Sequence, residues 1–82
     1  MGLDIVEMVM EVEKAFAVRI PDADAARLET VGQLFAYLQE HAPLARQPDA
    51  WERFQTVLAH EIGVPRGEIR PEASFVRDLR MD

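Results

Sequence analysis

The sequence predicts an all-α fold, a small helical bundle, on three observations. Apolar residues recur at helical spacing in three segments: Ile5, Met8, Val9, Val12 and Phe16; then Val31, Leu34, Phe35 and Leu38; then Trp51, Phe54, Val57, Leu58 and Ile62. Pro21, Pro43, Pro48 and Gly63 punctuate the chain between and after them. No stretch alternates apolar and polar residues as a half-buried strand does, and no internal repeat is visible. The 82 residues form a single domain, residues 1–82. A chain of that size buries roughly 60–65% of its unfolded surface.

The first helix begins at residue 2 and carries apolar residues on two sides. At about 100° per residue, Ile5, Met8, Val9, Val12 and Phe16 share a core face. Leu3, Val6 and Met10 fall on the other side, bordered by Glu7, Glu13 and Lys14. Such a stripe either packs within the domain or serves as a docking surface. Pro21 pushes the residue before it out of the α region, and Asp22 or Asp24 is expected to cap a short helix near Asp24 to Leu28. Thr30 with Gln33 predicts a capping box that opens a third helix, running to about His41.

"APLARQPD" reads as a linker without periodicity. Asp49 with Glu52 predicts another capping box, and Gly63 a natural stop for the fourth helix. Beyond it, Val64, Ile69, Phe75 and Leu79 are spaced irregularly, as anchors of a loop are, and Ser74 is expected to cap one turn through Leu79.

The net charge of −6 argues against nucleic acid and towards partners with basic surfaces. Eight acids (Asp4, Glu7, Glu11, Glu13, Asp22, Asp24, Glu29, Glu40) face only Lys14, Arg19 and Arg27 in the first 41 residues, whereas the rest is nearly balanced. The absence of cysteine excludes disulfides and thiolate metal sites, and favours the cytoplasm. No apolar run approaches the roughly 18 residues of a membrane span, and no basic-then-apolar leader is present.

Catalytic motifs are missing. "HEIGV" at His60 lacks the second histidine of a zinc-protease helix, and His41 lies far off, so no metal site is expected. Ser74 has no evident base partner, and "DADAARLE" lacks the spacing of a calcium loop. The chain is not expected to be an enzyme.

Two segments match a known family. "LDIVEMVMEVEKAFAVRIPDADAARLETVGQLFAYL" resembles the second half of an acyl carrier protein: recognition helix, closing phenylalanine, "IPD" break, short third helix and last helix. "WERFQTVLAHEIGVPRGEIRPEASFVRDLRMD" is similar to the first half: opening helix, "GV" stop, long loop and "ASFVRDL" turn. Residues 2–41 thus resemble the family's C-terminal half, residues 42–49 are a linker, and residues 50–82 resemble its N-terminal half. The halves stand in reversed order. Read from tail to head, the junction runs Asp78, Leu79, Arg80, Met81, Asp82, Gly2, Leu3, Asp4, with Gly2 where the family has the serine that bears 4'-phosphopantetheine.

The resemblance implies an acyl-carrier-like four-helix bundle, circularly permuted or domain-swapped, opened at the prosthetic-group site of Asp82, Gly2 and Leu3. It implies a docking helix with Leu3, Val6 and Met10 fringed by Asp4, Glu7, Glu11 and Glu13. Its inner face, with Met8, Val12, Phe16, Phe35, Leu38, Phe54 and Leu58, would form the acyl pocket and core. The implied partners are basic-surfaced enzymes of fatty acid or polyketide biosynthesis, of the phosphopantetheinyl transferase, acyltransferase or ketosynthase type. Because glycine has no hydroxyl, 4'-phosphopantetheine is expected to be absent. The chain would be a monomer or a swapped homodimer. The alternatives are a fragment spanning two tandem carrier domains and a non-carrier helical adaptor.

Overall fold

Each apolar stripe of the sequence becomes one face of a helix in the computed structural model, which describes the backbone of residues 2–80 and the side chains of residues 5–80. The helices are α1 (Gly2–Phe16), α2 (Asp22–Ala25), α3 (Val31–His41) and α4 (Ala50–Ile62), with single 3-10 turns at Pro43–Arg46 and Arg66–Glu68. The all-α expectation holds: the chain is a small bundle, and the described residues contain no strand. An isolated antiparallel bridge pairs Thr30 with Ser74.

The ends of α1 and α4 are closed in related ways by different residues. α4 stops at Gly63, which adopts φ 85° and donates to Ala59 O at 2.8 Å. That is the left-handed cap the glycine predicts. α1 stops at Ala17, a non-glycine residue at φ 52°, and the Val18 N–H returns to Glu13 O at 3.1 Å. The Glu13 carboxylate then accepts from the Ile20 N–H at 2.7 Å, so this acid closes the turn beyond α1.

The capping box of α3 forms as expected: the Thr30 side chain accepts from Gln33 N, and the Gln33 side chain accepts from Thr30 N. Two other caps differ. Asp49 has ψ 9°, not the extended backbone of a side-chain cap, and α4 starts without a side-chain cap bond. Asp22 and Asp24 lie inside α2, which starts after Pro21 two residues earlier than expected and also has no side-chain cap. The linker is more ordered than its lack of periodicity implies. Pro43 sets the backbone of a 3-10 turn, Ala42 and Ala45 are buried, and Arg46 donates to Gln39 O at 2.7 Å and Glu40 O at 3.1 Å. Those two bonds satisfy carbonyls that the end of α3 leaves open.

Two seams join residues 2–41 to residues 50–80. One is apolar. α1 packs on α4 with Phe16 edge-on to Phe54 at 6.3 Å, and Phe35 of α3 sits 5.0 Å from Phe54 and 5.1 Å from Trp51. Met8, Val12, Phe16, Leu34, Leu38, Phe54, Leu58 and Ile69 are fully buried, and each such side chain contributes about 1.5–3 kcal/mol by leaving water. The other seam is main chain. Val31 N donates to Ala73 O at 3.0 Å, Gly32 N to Pro71 O at 2.8 Å, and Phe75 N to Glu29 O at 3.0 Å. A Cβ at Gly32 would lie 2.9 Å from Pro71 O, so the close approach of the long loop requires a glycine there.

Candidate functional site

The second seam carries the last turn of the described chain up to the first turns of α1. Ser74 organises that turn as the sequence predicts: its Oγ accepts from Arg77 N at 3.2 Å, and its own N–H donates to Asp78 Oδ2 at 2.7 Å. Asp78 N and Leu79 N both donate to Ser74 O at 3.0 Å, while Phe75 and Leu79 turn into the core. Between this turn and α1 lies a cavity of about 540 Å³, within the usual range of roughly 300–1,000 Å³ for ligand pockets. Ile5, Met8 and Val9 line it from α1, Ala25, Ala26, Leu28, Glu29 and Thr30 from the α2 segment, Leu34 from α3, and residues 74–77 from the last turn. A groove of about 560 Å³ runs on the other flank of α1, lined by Val6, Met10 and Glu13 and by Arg19, Ile20, Pro21, Asp22 and Ala25.

The predicted site residues separate into groups. Val6 and Met10 are 54% and 49% exposed, so the second stripe of α1 does not pack inside this domain. Glu7 is exposed beside it, and Glu11 is paired with Lys14 at 3.3 Å. Glu13 lies beside Val6 and Met10 along the same groove, and its carboxylate accepts from the Ile20 N–H at 2.7 Å. The side chains of Leu3 and Asp4 lie outside the described residues, as does Asp82; Gly2 is described only as the first residue of α1.

Of the residues assigned to the acyl pocket and core, only Met8 lines the cavity. Val12, Phe16, Leu38, Phe54 and Leu58 are buried core, and Phe35 packs against Trp51 and Phe54. The helical period places them inside but does not say which end of the core is hollow. Leu28, Leu34, Phe75, Val76 and Arg77 line the cavity and are not assigned to the acyl pocket by sequence, although Leu34 reads on the face of α3 and Phe75 as a loop anchor. For Phe75, Val76 and Arg77 the sequence signal is the "ASFVRDL" turn, and for Leu34 the period of α3. Val76, 50% exposed, adds an apolar side chain to the cavity wall.

The hydroxyls at the cavity are Thr30 and Ser74, and both act as caps, accepting from Gln33 N and Arg77 N at 3.2 Å. Asp24, on α2, accepts from Tyr37 Oη at 2.7 Å and from Arg27 at 2.9 Å. The Tyr37 hydroxyl, and then Arg27, hold the Asp24 carboxyl below the usual carboxylate range, and the same bond to Asp24 pushes the Tyr37 phenol up. His41 stacks on Tyr37 at 4.2 Å, and His60 is exposed. Among the described residues no cluster of His, Asp and Glu is placed to hold a metal ion, and no helix is long and apolar enough to cross a membrane.

Similarity to known proteins agrees with the resemblance drawn from the sequence. The chain is 46% identical over 40 residues to the acyl carrier protein of Lactobacillus johnsonii, a match covering 49% of this chain and 50% of that protein. The chain thus spans about half the length of this curated relative. No family model and no solved structure matches the chain. Over the matched half, the chain is similar to an acyl carrier protein.

Proposed function

We propose that this chain is a relative of the acyl carrier proteins, a carrier-type helical domain with its two halves in reversed order, which presents α1 to basic partner enzymes and bears no phosphopantetheine. It is a carrier-type module and not a catalyst. The observation that carries this reading is the shared cavity: the turn at Ser74–Leu79, which resembles the end of the family's first half, and the first turns of α1, which resemble the start of its second, line one space. A match that covers half of both chains supports the same reading, because an alignment that keeps residue order passes through only one half of a permuted pair.

The 4'-phosphopantetheine arm does not fit the residues present. Attachment needs a hydroxyl at the head of α1, where Gly2 stands, and the hydroxyls of Thr30 and Ser74 are engaged as caps elsewhere. Incubation with coenzyme A and a phosphopantetheinyl transferase is therefore expected to leave the intact mass unchanged. A gain of one pantetheine arm would refute the reading.

Docking rests on the exposed Val6 and Met10 with the carboxylate of Glu7 beside them. Leu3 and Asp4 extend that strip in the family pattern, and Glu11 and Glu13 complete its acidic fringe. Rim charges of this kind raise association rate and specificity more than affinity, and salt screens them. The partners are enzymes of fatty acid or polyketide biosynthesis with basic surfaces, in the cytoplasm. The ordered turn at Pro43–Arg46, packed against α3 and α4, supports a compact monomer over a swapped homodimer or a piece of tandem domains. Size-exclusion chromatography with light scattering distinguishes these forms. The missing serine favours one second reading, a non-carrier adaptor. Failure to compete with an ordinary carrier protein for a ketosynthase would support the adaptor.

A further inference from the structure

Among the described residues, the large apolar side chains that stand about half in water are Val6, Met10 and Val76. They fall in two places. Val6 and Met10 lie one turn apart on α1, with Glu7 exposed beside them and Glu13 on the same groove. Val76 lies on the last turn, where Arg77 and Arg80 are exposed with it. Asp78, the acid of that turn, directs its carboxylate back to the Ser74 N–H at 2.7 Å. One patch is therefore apolar with an acidic fringe, and the other is apolar with a basic one. The two are neighbours: Ile5 and Val9 of α1 line both the cavity that Val76 and Arg77 border and the groove that Val6 and Met10 border.

A face that carries both patches side by side is complementary to itself after half a turn, because each apolar residue then meets an apolar residue and each carboxylate a guanidinium. A second copy of the chain necessarily brings both fringes. We propose that two copies associate across this face as an isologous dimer. Val6 and Met10 of each protomer cover the partner's Val76, and Glu7 faces the partner's Arg77, so every contact is made twice. The net charge of −6 opposes the approach of two like copies, and the short-range pairs work against that repulsion. With three half-exposed apolar side chains on each side, the interface belongs with weak, reversible encounters that bury less than about 1,200 Å². No segment is exchanged, and the monomer remains the folded unit. Association covers Val6 and Met10, so it competes with any other occupant of that stripe. The dimer follows from exposed residues and their charges and does not depend on the carrier reading.

Sedimentation equilibrium of the full chain from about 20 µM to about 1 mM tests it. The weight-average mass is expected to rise from one chain towards two. A mass that stays at one chain throughout would overturn the dimer while leaving the docking of α1 on enzymes to its own test, and growth beyond two chains would overturn the two-fold pairing. Glu7→Arg and Arg77→Glu each set like charges against one another at two contacts, and each is expected to raise the dissociation constant about tenfold. The Glu7→Arg result separates pairing from net charge. That variant is two units less negative, so general repulsion falls and a non-specific association would tighten. Combining the two reversals keeps the net charge and is expected to bring the dissociation constant back to within about threefold of the parent. Unchanged or tighter association in Glu7→Arg, or no recovery in the double variant, would overturn the pairing. Both side chains are exposed, and circular dichroism is expected to show the parent's helix content in all three variants.

Discussion

The two seams that hold residues 2–41 against residues 50–80 differ in kind. Between α1 and α4 the contact is side chain to side chain, with Phe16, Phe54, Met8 and Leu58 wholly buried. Between residues 29–32 and 71–75 it is main chain to main chain, three hydrogen bonds around a glycine, two of which make the Thr30–Ser74 bridge. The apolar seam draws its strength from area removed from water, which tolerates small shifts. The polar seam depends on approach distance, and a single methyl group at Gly32 spoils it.

Truncation at the apolar seam is the largest expected effect. Phe54→Ala removes the ring that meets Phe16, Phe35 and Trp51, and is expected to cost about 3–5 kcal/mol, leaving a chain this small largely unfolded by circular dichroism. At the polar seam, Gly32→Ala forces Pro71 away and is expected to cost about 1–3 kcal/mol in urea denaturation. Its signature is local. Exchange at Val31, Gly32 and Phe75 should rise more than exchange in α4, and a uniform rise would mean that the two seams are one cooperative unit.

Ala17→Gly touches neither seam and calibrates both. It relieves a left-handed non-glycine cap at φ 52°, so stability is expected to rise by about 0.5–1 kcal/mol with seam exchange patterns preserved.

The Tyr37–Asp24 pair provides the smallest effect and a pH signature. The Asp24 carboxyl is held below its usual range, so its contribution is present above the ordinary carboxylate value of 3.8 and lost as pH falls through the lower folded value. The Tyr37 phenol is raised, so its contribution is present below 10.0 and lost as pH climbs through the higher folded value. The melting-temperature difference between the parent and Tyr37→Phe should therefore be flat from about pH 5 to about pH 9 and shrink on both sides. A difference that varied within that interval would couple other titrating groups to the Tyr37–Asp24 bond.

Much of the apolar seam was legible in advance. The stripes of α1, α3 and α4, the Thr30–Gln33 box, the Gly63 cap and the Ser74 turn follow from periodicity and capping chemistry within a few residues of chain. The exposed Val6 and Met10 were legible as well, as a stripe on the wrong side of a helix. The cavity was less so: Met8 lies on a readable face, whereas Phe75, Val76 and Arg77 come from an aperiodic tail, and Leu28 from a strap whose position is set by Pro21. The bond from the Ile20 N–H to Glu13 was not legible, because the turn after α1 is what brings that donor to the carboxylate.

By itself the sequence determined the helices, their buried faces, the acidity of the front half and the lack of a hydroxyl at Gly2, because each is a property of residue type or of spacing within one segment. Tertiary structure decided where the core is hollow, which carboxylates are engaged, and that Pro71 would rest on Gly32. Those outcomes depend on distances between segments far apart in the chain, and side-chain periodicity does not encode how closely two backbones approach.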